Sequence, residues 1–183
     1  MGEPHRPPPA RLVVGMLSAD EALMGTVAKE LAELFGPIDY RSPLIPFTQT
    51  TYYDHELGTP IFRRFLSFSD PFPPDGLATA KLLTNSVEQR YRLRGNRRVN
   101  LDPSYLTLAK LVLATTKDHA HRIYLGQGIY AEVTLHYRGG TFEPWPWTYP
   151  DYRTPEYLAV FHELRARLAS SSRSPDLTEG RTP

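Results

Sequence analysis

The densest run of reactive side chains is Lys117-Asp118-His119-Ala120-His121-Arg122, and Glu132 follows ten residues after Arg122. Gly126-Gln127-Gly128 separates two alternating, strand-like stretches, His121 to Leu125 and Ile129 to Tyr137. A three-residue hairpin loop with Gly128 left-handed sets Leu125 opposite Ile129. Opposed residues share a face, so Tyr124 falls beside Tyr130, Arg122 beside Glu132 and Ala120 beside Thr134. Ile123, Leu125, Ile129 and Ala131 occupy the other face. On the polar face Arg122 can clamp an anion, and Glu132 can act as base or orienting group. The competing reading is a solvated sheet face with a surface ion pair worth about 0–1 kcal/mol.

His119 and His121 share a strand face, a spacing that presents two nitrogens to a metal. A metal site needs its full ligand count, and only Asp118 or a distant carboxylate is available as the third ligand. No metal is therefore assigned. The run reads as a charged turn, or as a phosphate or carboxylate site built from Lys117 and Arg122 with a histidine donor. Asn100 and Asp102 alternate along a short strand near Arg98 and point from its end into a cleft, or Asp102 caps a following helix. Residues 86–98 carry five arginines and one acid, which reads as an RNA patch or as a solvated helix end. The P-loop, nucleophile-elbow, zincin and dinucleotide-binding patterns are all missing from the sequence.

Positioning these residues requires a sheet. Arg11 to Leu17 is a continuous apolar run, consistent with a buried strand. Ser18-Ala19-Asp20-Glu21 follows as a capping box with Ser18 as N-cap. Leu23, Val27, Leu31 and Leu34 recur at helical spacing up to Gly36-Pro37. Ile38 to Phe47 reads as a proline-broken edge strand, residues 48–60 as a loop, and Ile61 to Phe68 as a strand. Asp75 caps a helix over 77–93, and Arg97 to Leu101 forms a short strand. Tyr105 to Thr116 fits a helix opened by Asp102-Pro103, although the β-branched residues of its second half also fit a strand. Residues 142–153 are rich in Trp, Tyr and Pro without a period. Thr154-Pro155-Glu156 opens a last helix.

The expected fold class is α+β: a ferredoxin-like βαββαβ core, extended by a C-terminal β-hairpin and a terminal helix. One domain spans 11–169, with disordered tails over 1–10 and 170–183. Lys plus Arg number 21 and Asp plus Glu 20, a formal charge of +1. That balance argues against non-specific nucleic-acid binding, which feeds on basic excess. There is no cysteine, so disulfides, thiolate metal sites and a cysteine nucleophile are excluded. No apolar run approaches the roughly 18 residues of a membrane span. The opening residues lack the apolar core of a signal peptide. A cytoplasmic protein without membrane contact is expected.

Several motifs carry a family resemblance. They are Val14-Gly-Met-Leu-Ser18, Asn100-Leu-Asp-Pro103, Tyr105-Leu-Thr107, Lys110-Leu-Val-Leu-Ala-Thr115, His121-Arg-Ile-Tyr-Leu125, Tyr130-Ala-Glu-Val-Thr134 and Pro146-Trp-Thr-Tyr-Pro-Asp-Tyr-Arg153. Through them the chain resembles an uncharacterised prokaryotic family, domain of unknown function 4416, over nearly all of its ordered length. Ser104 stands where that family has glycine. The resemblance implies no activity, substrate or catalytic residue.

The expected function is binding of a small anionic ligand, phosphorylated compounds among the candidates. Arg122, Lys117 and His121 supply donors, Glu132 and Asp102 orient or exchange protons, and Asn100 and Arg98 line the cleft. The alternative is a non-enzymatic module that contacts protein through 142–153 or RNA through 90–98. Reaction, cofactor and oligomeric state are not fixed by the sequence.

Overall fold

The apolar run at the start of the chain lies inside β1, Ala10–Ser18, every residue of which is buried. The computed structural model describes residues 2–171. Gly2 to Pro9 are exposed and form no regular element; the expected C-terminal tail lies outside the described residues from 172 onward. The elements are β1, α1 (Glu21–Phe35), β2 (Ile38–Arg41), β3 (Ile45–Pro46), α2 (Asp54–Leu57), β4 (Phe62–Phe72), α3 (Leu77–Arg90), β5 (Asn100–Leu106), β6 (Lys110–Thr115), β7 (Ile123–Gly126), β8 (Ile129–Arg138), β9 (Thr141–Pro144) and α4 (Pro155–Ser171). Short 3-10 turns precede α3 and α4.

The strands form one sheet in the order β2-β4-β1-β5-β6-β8-β7, with β3 on β4 and β9 on β8. Every pairing is antiparallel. The two faces of β1 sort the helices. Leu12, Val14 and Met16 pack with Leu23, Val27 and Leu31 of α1 and with Ala80 and Val87 of α3. Val13 faces the other way, into the cluster that joins Phe65, Leu106 and Leu113 to Tyr157, Phe161 and Leu164 of α4. Each such buried side chain contributes roughly 1.5–3 kcal/mol of transfer free energy.

Three local expectations are corrected. Asp20, not Ser18, caps α1: its Oδ1 accepts from Leu23 N at 2.9 Å. Ser18 Oγ instead donates to the Arg98 carbonyl at 2.7 Å. Asp102-Pro103 opens no helix. Both residues lie inside β5, and residues 105–116 become the end of β5, a turn at 107–109 and β6. Burial on both faces outweighs the local start signal, because Leu106 and Leu111 enter one core cluster while Val112 and Ala114 enter another. The third correction is the β7–β8 loop. It has two residues, Gln127 and Gly128, at φ 56° and 75°, closed by Gly126 opposite Ile129. Positive φ at both positions matches the twist of a tight hairpin. An irregularity at Leu125 then restores the Tyr124–Tyr130 pairing.

Candidate functional site

The β5–β6 ladder runs only from Leu106↔Leu111 to Ser104↔Leu113. The next residue on β5 is Pro103, which has no N–H to extend the ladder. Beyond it β5 stays on β1, through Asp102↔Gly15 and Asn100↔Leu17, while β6 stays on β8. The strands diverge, and a cavity of about 750 Å³ opens between them. That size lies in the range of roughly 300–1,000 Å³ usual for small-molecule sites.

Arg63 forms its floor. In the strand run Ile61 to Phe68, Arg63 shares the face of Phe65, so its guanidinium enters the interior and the residue is 2% exposed. Nε donates to Tyr157 Oη at 3.1 Å, Nη1 to Asp102 Oδ2 at 2.9 Å and Nη2 to Asp151 Oδ2 at 3.2 Å. Asn100 Nδ2 also donates to Asp102 Oδ2, at 2.8 Å. Lys81 reaches in from α3, donating to the Leu101 carbonyl at 2.8 Å with its Nζ 3.9 Å from Asp102 Oδ1. Burial pushes the Asp102 pKa up, but the Arg63 and Lys81 charges and the two hydrogen bonds outweigh it. The carboxyl is held below its ordinary range. Asp151 differs: burial, reinforced by the Asp102 charge, raises it against the pull of Arg63.

A second ionic group closes the side wall. Arg97 donates to Glu56 Oε2 at 2.7 Å, to Glu88 Oε2 at 3.1 Å and to Asn100 Oδ1 at 2.8 Å. Glu88 Oε1 accepts from Leu101 N at 2.6 Å, and burial raises its pKa against the pull of Lys81. Exposed residues form the mouth: Tyr52, Arg92, Lys117 and Tyr149 all line the cavity. Lys117 Nζ sits over the Tyr52 ring, 5.0 Å from its centroid. Arg92 donates to the Gly95 carbonyl and to Gln89.

The Arg122–Glu132 pair forms as the hairpin count places it. Arg122 Nε is 2.7 Å from Glu132 Oε2, and the side chains are 2% and 0% exposed. His121 Nε2 shares that oxygen at 3.1 Å. None of the three lines the cavity. The remaining Arg122 donors go to protein acceptors, Nη1 to the Lys117 carbonyl at 2.9 Å and Nη2 to Tyr149 Oη at 2.9 Å. Arg122 therefore braces two residues of the cavity mouth.

The other sequence candidates separate in space. Lys117, Asn100 and Asp102 line the cavity. Arg98 does not; it pairs with Asp20 at 2.6 Å beside the start of α1. His119 stacks on His121, His121 on Trp147, and Trp147 on Trp145, with centroids 5.9, 5.2 and 5.2 Å apart. Among the described residues no group of three or more His, Asp or Glu side chains is placed to hold a metal. Arg63, Lys81, Asp151 and Tyr152 were missed. Their signal is a charge in core phase: Arg63 alternates with Phe65 in a strand, and Lys81 follows Leu77 at helical spacing.

The fold and site define an antiparallel α+β protein with a charged cavity in a split of its sheet. The sequence profile of the family described as Domain of unknown function (DUF4416) matches residues 8–168, and the chain belongs to that family. No curated protein and no solved structure matches the chain. No helix among the described residues is long and apolar enough to cross a membrane.

Proposed function

We propose that the protein binds a small phosphate-bearing anion in the cavity between β5 and β6, with Lys117 and Arg92 receiving the anionic group. One observation carries this reading. The interior cations Arg63, Lys81 and Arg97 face the carboxylates Asp102, Asp151, Glu56 and Glu88. Lys117 and Arg92 line the same cavity, and among the described residues neither forms a salt bridge, although the Arg92 charge acts on Glu56. An arriving phosphate thus meets, at the mouth, two cations outside any salt bridge, in a lining of five cations and four carboxylates, together with the Tyr52 and Tyr149 rings. Arg122, Glu132 and His121 act as a positioning group behind Lys117 and Tyr149.

Other contacts weigh against the interaction-module reading. Residues 145–153 are tied down as a strap, although Trp147 is 37% exposed: Thr148 Oγ1 donates to the Thr134 carbonyl at 2.5 Å, and Trp147 Nε1 to the Val133 carbonyl at 3.1 Å. In the Arg-rich segment Arg90 pairs with Glu30, Arg97 with Glu56 and Arg98 with Asp20, which leaves two of its five arginines, Arg92 and Arg94, outside salt bridges among the described residues and reduces the basic charge available to RNA. The order β2-β4-β1-β5, with α1 and α3 on one face, supports a ferredoxin-like reading of the N-terminal part.

The test is thermal denaturation with inorganic phosphate and a panel of phosphate esters, on the native protein and on Lys117→Ala and Arg92→Ala. Phosphate esters are expected to raise the native Tm, and each variant to lose most of that rise while keeping its fold. An unchanged Tm across the panel, or variants that respond like the native protein, refutes the reading.

A further inference from the structure

We infer that the cavity ligand carries a hydroxylated carbon skeleton beside its anionic group: a sugar phosphate, or the sugar-phosphate part of a nucleotide. The inference rests on the anion-binding reading above and concerns what lies inward of the mouth. Tyr152 lines the cavity at 3% exposure, yet its hydroxyl makes no hydrogen bond among the described residues. The hydroxyl is not sealed from solvent, so it opens onto the cavity and is free to meet a ligand there. Tyr53 and Asn85 also line the cavity, and neither side chain makes a hydrogen bond there. Asp102 accepts both of its hydrogen bonds at Oδ2, and its Oδ1 has only the Lys81 ammonium, 3.9 Å away. Lys81 donates one of its three N–H groups to the Leu101 carbonyl.

The unmet groups are therefore mixed. Tyr152, Tyr53, Asn85 and Lys81 offer donors, and Asp102 Oδ1 offers a charged acceptor. A bare anion uses the donors but repels Asp102. An alkyl chain leaves every one of these groups dry, at a cost. A ligand cation at Asp102 meets the Arg63 and Lys81 charges already there. Hydroxyl groups both donate and accept, so a polyol meets the whole set.

Isothermal titration tests this with inorganic phosphate, free ribose, ribose 5-phosphate, glucose 6-phosphate and uridine monophosphate. The proteins are the native chain, Lys117→Ala, and Tyr152→Phe with Tyr53→Phe as a second ring-preserving variant. At least one sugar phosphate or the nucleotide is expected to bind at least about tenfold more tightly than inorganic phosphate. A tyrosine-to-phenylalanine change should weaken that compound by about three- to tenfold and leave inorganic phosphate unchanged. Lys117→Ala should weaken both. Tightest binding of uridine monophosphate assigns the skeleton to a nucleotide, and tightest binding of a sugar phosphate to the free ester. If inorganic phosphate binds as tightly as every sugar compound and both Phe variants bind normally, the skeleton inference fails while anion binding stands. If no phosphate compound binds, both fail.

Discussion

Arg63 and Asp102 meet across a strand that separates them: Nη1 lies 2.9 Å from Oδ2, although β4 and β5 each pair with β1 and not with one another. The crossing passes over Gly15, which pairs with Phe65 on one side and Asp102 on the other. A Cβ at this position would stand 2.9 Å from Arg63 Nη1 and 3.1 Å from Phe65 Cε1. The missing side chain is what lets the cation of one strand reach the carboxylate of another.

Gly15→Ala should therefore displace a guanidinium fixed on Asp102, Asp151 and Tyr157. A loss of about 1–3 kcal/mol is expected, as for overpacking in a close-packed interior. Urea denaturation measures it. Unchanged stability would mean that the guanidinium shifts without losing its partners.

Arg122 and Glu132 should behave as a buried pair. Arg122→Met strands a fully buried carboxylate and is expected to cost about 3–5 kcal/mol. The double variant Arg122→Met/Glu132→Gln should cost less than Arg122→Met alone, since the uncompensated charge is gone. A thermal double-mutant cycle reads this, and a double variant worse than the single contradicts the pairing.

Asp102 and Asp151 should give opposite pH dependences. The native Asp102 pKa is lowered, so its contribution to stability is present above the ordinary value of about 3.9 and is lost as pH falls through the native value. The cost of Asp102→Asn should grow between pH 3 and 6. The native Asp151 pKa is raised, so the native protein loses stability as pH rises from about 3.9 through the native value. The cost of Asp151→Asn should shrink over the same range. Denaturant titrations at several pH values distinguish the two, and parallel trends would show that the carboxylates do not divide in this way.

Thr148 holds the strap by two bonds: Oγ1 accepts from Trp145 N at 2.8 Å and donates to the Thr134 carbonyl at 2.5 Å. Thr148→Val keeps the shape and removes both. A cost of about 1–3 kcal/mol is expected, with a red shift of tryptophan fluorescence as Trp145 and Trp147 gain water. An unshifted spectrum would mean that ring stacking alone secures the strap.

What the sequence made legible was local. The β1–α1 unit was readable because an unbroken apolar run needs no partner to be recognised. The Arg122–Glu132 contact was readable because residues beside a tight turn can be counted, and the irregularity at Leu125 cancelled the error in loop length. β5 and β6 were hidden because Asp102-Pro103 imitates a helix start, while the burial that decides the matter comes from strands elsewhere in the chain. The cavity was hidden for a related reason. Arg63, Lys81, Asp151 and the stretch from Arg97 to Asp102 come from separate segments, and it takes the crossing over Gly15 and the split beyond Pro103 to bring them to one space. Arg122 was legible in place but not in role, since its acceptors on Lys117 and Tyr149 lie outside the hairpin.

The most direct test of the central claim is a crystal structure of the protein grown with the phosphate ester that stabilises it most. The phosphate is expected inside the β5–β6 cavity, within hydrogen-bond distance of Lys117 Nζ or the Arg92 guanidinium. A phosphate bound elsewhere, for example over the His119–Trp147 stack, with the cavity filled only by water, would contradict it.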